Sequence, residues 1–224
     1  MVDTVFSLAT MFSFLDLLRK MYMRGFPIRL KDSWRASMLK KILEVRWHGR
    51  GGQGAWTASE LLARAAIYEG KHIQSFPEFG PERMGAPVTA FTRISTEPIR
   101  IHCAVYNPDV VAVLDPTLLK AVPFTEGLDE QGTILINSKD NPAEIRKTLN
   151  TDKGKVWAVP ATEIAMKILG MPITNTAMLG AVARVTGIVS LGSVEKVVRE
   201  RFRQDVAEKN FAVVKEAYEE VKSE

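Results

Sequence analysis

Cysteine is all but missing: Cys103 is the single one in 224 residues. One thiol forms no internal disulfide, and by itself it cannot ligate an iron–sulfur cluster or a structural zinc ion. A reducing, cytoplasmic setting is therefore expected. Membrane-spanning runs are also lacking. The apolar stretch Val5 to Leu18 is too short to cross a bilayer and carries Asp16 near its end. A secretory signal would place positive charge before such a run, but here Asp3 precedes it and Arg19, Lys20 and Arg24 follow. There is no internal repeat, no low-complexity tract and no basic stripe with interleaved aromatics, so neither membrane nor nucleic acid is an expected partner.

What is present is a core-forming composition. Hydrophobic residues make up 46% of the chain, enough for one large domain or one domain with an appendage. The formal charge of +4 is unevenly placed: residues 1–37 hold six Lys/Arg against three Asp/Glu, leaving 24 against 23 for the rest. The body is thus nearly neutral. Residues 1–37 read as an N-terminal extension, either a docking helix, a membrane-surface anchor, or the product of a misassigned start. The last is preferred, because Met38-Leu39-Lys40-Lys41 runs directly into a strand. The domain is expected to span 38–224.

That strand ends in His48-Gly49-Arg50-Gly51-Gly52-Gln53-Gly54, around which the chain is organised. Ile42 to Trp47 is rich in branched and aromatic residues, and Thr57 to Tyr68 has helical apolar spacing, so the glycines occupy a strand-to-helix turn. Gly49, Gly51 and Gly54 match GxGxxG, which permits a tight turn, backbone approach by a ligand and close helix–strand packing. A helix amino terminus behind such a turn suits a phosphate or carboxylate. Alone, the pattern recurs by chance, and a glycine turn can serve packing only. With Glu78 close to ~20 residues downstream, it also admits a nicotinamide-dependent dehydrogenase.

Beyond the first helix, His72 to Phe76 reads as a second strand, and Pro77 to Pro87 as a shaped loop whose Glu78, Glu82 and Arg83 could reach the same crevice. Val88 to Ile94 and Ile99 to Cys103 read as a hairpin, making the sheet mixed. Val110 to Leu114, Thr133 to Ile136 and Val156 to Val159 have the continuous apolar character of strands buried on both faces. Helices are expected at Pro116 to Leu119, Pro142 to Leu149, Ala161 to Leu169 and Ala177 to Val185, with further helical spacing over 194–222 and Ser193 as a cap. Asp115 and Asn137, each following a buried strand, are helix caps or crevice groups. His48 and His102 have no neighbour at metal-ligand spacing and read as structural, and Cys103 as a small core residue. The fold class is α/β, a Rossmann-like three-layer α/β/α domain with a mixed, mainly parallel sheet.

Three ordered stretches carry a resemblance: Glu44 to Gly54, Gln74 to Pro87, and Ile173-Thr174-Asn175-Thr176-Ala177-Met178-Leu179-Gly180. Together they resemble the gamma subunit of 2-oxoacid:ferredoxin oxidoreductases, closest to the pyruvate and 2-oxoisovalerate branches. The resemblance covers residue 42 to about 222 and leaves 1–37 outside.

The resemblance implies a complex with alpha, beta and delta subunits. In it, a 2-oxoacid is decarboxylated on thiamine diphosphate with Mg2+, electrons pass through [4Fe–4S] clusters to ferredoxin, and the acyl group leaves on coenzyme A. It places those cofactors on other chains and none on this one. For this chain it implies that Gly49, Arg50, Gly51, Gly52, Gln53 and Gly54 contact an anion, coenzyme A in particular, or else pack against the catalytic subunits. Glu78, Glu82 and Arg83 are weaker candidates. No catalytic residue and no metal ligand is assigned. The alternatives are the dehydrogenase and a ligand-free structural subunit.

Overall fold

Alternation along the first strand divides the molecule into two unequal sides. In this computed structural model the structure describes residues 42–78 and 84–224. Strand β1 (Ile42–Arg50) turns Val45 and Trp47 to one face, both wholly buried, and Arg46 and His48 to the other. The glycine turn leads into α1 (Ala55–Ile67), whose alanines and leucines at helical spacing pack on the Val45–Trp47 face. Strands β2 (His72–Glu78) and β3 (Pro87–Ser95) follow, then β4 (Val110–Val113), a 3-10 turn at Pro116–Lys120, β5 (Thr133–Asn137), α2 (Pro142–Leu149), β6 (Lys155–Val159) and α3 (Ala161–Leu169). Helices α4 (Asn175–Thr186), α5 (Leu191–Arg201) and α6 (Gln204–Glu220) precede a two-residue β7 (Lys222–Ser223).

The seven strands lie in the order β2-β3-β1-β4-β5-β6-β7. β1, β4, β5 and β6 pair in parallel, β3 runs antiparallel between β1 and β2, and β7 runs antiparallel to β6. The sheet is mixed and mainly parallel, as expected, but the antiparallel partner of β3 is not the one expected. Residues 99–103 form no strand; they run as a loop whose Ile101, Cys103 and Ala104 carbonyls accept side-chain hydrogen bonds from Gln74 and Arg93. Cys103 is accordingly exposed rather than in the core. Ser190, not Ser193, caps α5, taking the Ser193 N–H at 3.2 Å on its hydroxyl. Helical spacing over 194–222 covers two helices broken at Phe202 and Arg203.

The side carrying Trp47 is covered by α1, α3, α4, α5 and α6 in one apolar core. Among the described residues the other side carries α2, the 3-10 turn and loops, and its smaller core gathers Val111, Val113, Ile134, Ile136, Leu118 and Ile145. Over β1 and β3 that second side is polar. Arg93, 1% exposed, donates to Glu44 Oε1 at 2.7 Å and to the carbonyls of Cys103 and Ala104, tying the loop down. The residues 1–37, Glu82 and Arg83 lie outside the described residues.

Helix α4 meets α6 at Gly180, where an added Cβ would lie 2.2 Å from the Val214 carbonyl oxygen. Gly192, near the start of α5, faces open space. The same substitution should therefore have opposite signs at the two sites. Gly180→Ala is expected to cost about 2 kcal/mol or more through overpacking against backbone, and Gly192→Ala to add roughly 0.5–1 kcal/mol by restricting the unfolded chain. Urea unfolding of the two variants checks this.

Candidate functional site

The carboxyl edge of β1 is where the three quoted stretches meet. Gly54 closes the turn at φ 77° as the N-cap of α1, and an added Cβ would stand 2.5 Å from Asn175 Nδ2 of α4. The first and third stretches thus touch through the missing side chain. The second joins by backbone: the Gly51 N–H donates to Ala86 O at 2.9 Å and the Gly85 N–H to Gly51 O at 3.2 Å.

The turn's own side chains are committed to holding it. Gln53 Oε1 accepts from the Arg50 N–H at 2.8 Å, and Gln53 Nε2 donates to Asp115 Oδ2 at 2.7 Å. Arg50 reaches Asp115 at 3.2 Å, the Thr117 hydroxyl at 2.7 Å and Gly85 O at 3.0 Å. Asp115 also caps the 3-10 turn through Thr117, so it is both cap and crevice group. Burial disfavours its carboxylate, but hydrogen bonds from Thr117 and Gln53 and the charge of Arg50 outweigh that and hold its pKa below the usual value. Asn137 is buried and serves as a cap only, bridging Leu114 O to the Thr162 N–H at the start of α3.

What the turn leaves open is main chain. Gly54 supplies no side-chain cap and the first turn of α1 has no acidic residue, so the first N–H groups of the helix face outward unneutralised. They border a cavity of about 400 Å³ lined by Gly52, Gly54, Trp56, Thr57, Pro77 and Thr89 among others. Trp56 and Met84 flank it, 54% and 94% exposed. A site of this kind can receive an anion through backbone donors and can seat against another protein; among the described residues that line it there is no acid–base pair. Among the described residues no three His, Cys, Asp or Glu side chains converge as a metal site, and no helix is long and apolar enough to cross a membrane.

Of the loop candidates, Glu78 ends β2 and lines a different cavity, on the face carrying Arg46 and His48. The nicotinamide reading fails on topology. A dinucleotide-binding sheet sets its second parallel strand directly beside the first, and here antiparallel β3 occupies that place, moving Glu78 one strand away.

A family model described as pyruvate ferredoxin/flavodoxin oxidoreductase matches residues 44–220. The chain belongs to this family. The common gamma subunit of the pyruvate/ketoisovalerate oxidoreductases of Pyrococcus furiosus is 53% identical over 178 residues, covering 80% of this chain and 96% of that one. The pyruvate synthase subunit PorC of Methanothermobacter marburgensis is 49% identical over 181 residues, covering 81% and 98%. The crystal structure of the pyruvate oxidoreductase subunit PORC of Thermotoga maritima superposes with a TM-score of 0.74 at 46% identity, covering 82% of this chain and 99% of that one.

Within this family member the residue that sequence reasoning passed over is Arg46. Its signal was the alternation Glu44, Arg46, His48 opposite Val45 and Trp47, which marks a polar sheet face. Arg46 Nε donates to His48 Nε2 at 3.2 Å, and Nη2 to the carbonyls of Phe124 and Glu126 at 2.8 and 2.6 Å. His48 is thus a partnered structural histidine. Burial, with the adjacent Arg46 charge, lowers its pKa to about 3.

The imidazole is therefore neutral in the fold and takes up a proton on unfolding below pH 6.5. Between those two values the unfolded state binds more protons, so stability is complete above about 6.5 and falls as pH drops toward about 3. Removing the group in His48→Gln should flatten this part of the pH–stability curve by about 1 kcal/mol per pH unit. Urea midpoints across that window, wild type against variant, measure it; parallel curves would refute the assignment.

Proposed function

We propose that this chain is the gamma subunit of a pyruvate or 2-oxoisovalerate ferredoxin oxidoreductase. The complex carries out oxidative decarboxylation of a 2-oxoacid with coenzyme A, giving acyl-coenzyme A, CO2 and reduced ferredoxin. The observation that carries this is end-to-end correspondence: 96% of the Pyrococcus furiosus gamma subunit is matched at 53% identity. The working unit is residues 38–224, in the cytoplasm, assembled with alpha, beta and delta chains and passing electrons to ferredoxin through them. Thiamine diphosphate, Mg2+ and the [4Fe–4S] clusters belong to those partners. A cluster takes four ligands, usually thiolates, and this chain has one cysteine.

The contribution of the subunit is a shaped wall. Trp56 and Met84 give the carboxyl edge of the sheet an apolar rim for the catalytic chains, and the glycine turn gives main-chain donors to the phosphates of coenzyme A. Gln53 sets the shape of the turn, its amide being used within it, and Arg50 both braces the turn and lines the cavity. Acyl transfer gains from such positioning and from exclusion of water without a further acid or base here.

Purified residues 38–224 should show no oxidoreductase activity until the alpha, beta and delta chains are added; turnover by the chain alone would overturn the assignment. For the glycine turn, Thr57→Glu adds negative charge to the first turn of α1, where it supports the helix but opposes a phosphate. In the reconstituted complex its KM for coenzyme A should rise roughly tenfold, about 1.4 kcal/mol, with KM for the 2-oxoacid unchanged. An unchanged KM for coenzyme A removes the phosphate contact, leaves a ligand-free packing role, and does not touch the family assignment.

A further inference from the structure

The second large cavity of the sheet is used by nothing described so far. It lies on the helix-poor face, measures about 670 Å³, and is floored by Arg46 and His48 with walls that include Val88, Phe91, Leu118 and Val122. It shares only Val88 and Thr89 with the cavity at the glycine turn. Size and lining fit a small-molecule site, apolar with a few convergent polar groups.

The floor is unfinished in a specific way. Arg46 and His48 are each only 8% exposed. Arg46 uses Nε and Nη2 within the fold, while Nη1 makes no hydrogen bond to the described residues. His48 accepts on Nε2, so the neutral ring carries its proton on Nδ1, which is likewise without a partner among them. Each keeps a little exposed surface, and the space that both residues border is this cavity. A buried guanidinium is costly without an anion, and no carboxylate of the described residues lies within 4.0 Å of it. Glu78 and Glu126 act on it only from farther away, at the cavity margin.

We propose that this cavity binds a small organic monocarboxylate with a short apolar chain, the carboxylate accepting from Arg46 Nη1 and His48 Nδ1 and the chain lying against Phe91, Leu118 and Val122. The two marginal glutamates favour a singly charged ligand over a doubly charged one, because their repulsion grows with the ligand's charge while Arg46 offers one positive charge against it. The site is independent of how the glycine turn is used.

Calorimetric titration of the full chain with isovalerate, isovaleramide and inorganic phosphate tests it. Isovalerate should bind saturably with a Kd of about 1 mM or tighter. Isovaleramide, with the same shape and no charge, should bind at least roughly tenfold more weakly, and phosphate not measurably. Arg46→Gln should abolish isovalerate binding. Should that variant fail to fold, Val122→Trp, which adds bulk to the cavity wall, decides the matter by the same loss. Absence of saturable isovalerate binding, equal affinity for the amide, or binding that survives Val122→Trp overturns the proposal. The first of these would leave the donors to a side-chain carboxylate of a partner subunit.

Discussion

The missing side chain at Gly54 sets the geometry on which the rest of the domain depends. It lets Asn175 come against the turn and so fixes the distance between α1 and α4. Gly180 repeats the device one layer out, where α4 reaches the α6 backbone at Val214. Two absent methyl groups thereby stack three helices on one face of the sheet with their amino-terminal edge in a defined place. A Cβ at either position would push backbone or a buried amide, not the end of a flexible chain, and protein interiors have little room to absorb that.

The opposite face is built on a different principle. Over β1 and β3 two buried arginines each grip loop carbonyls: Arg93 those of Cys103 and Ala104, Arg46 those of Phe124 and Glu126. Arg93 also meets Glu44 and lies over the Phe76 ring, so its charge is compensated from several sides. Arg46 has no such counter-ion among the described residues. The contrast between two arginines on one sheet face, one complete and one open, separates a structural group from a group with capacity to spare.

Much of this was legible beforehand, and the reasons are local. The parallel strands β4, β5 and β6 announce themselves because burial on both faces demands uninterrupted apolar residues, and α2 because Asn141-Pro142 both caps and starts it. The glycine turn is legible because few residues but glycine take φ near 77°. The failures came where a partner outside the segment decides. Ile99 to Cys103 has strand composition, but its carbonyls are claimed by the side chains of Arg93 on β3 and Gln74 on β2. Ser193 looks like a cap until Ser190 is seen to hold that place. Neither the contact of Gly54 with Asn175 nor the commitment of Arg50 to Asp115 and Thr117 is written in spacing, because both depend on how separate elements dock.

The two coverings also differ in how they let go. Helices packed by wide apolar contact open only when most of the domain opens, whereas a loop held by a few directional bonds to carbonyls can detach by itself. Amide exchange should accordingly run in a gradient across the sheet, slowest under α4 and fastest around residues 101–107 and 124–127, where the second cavity has its margin.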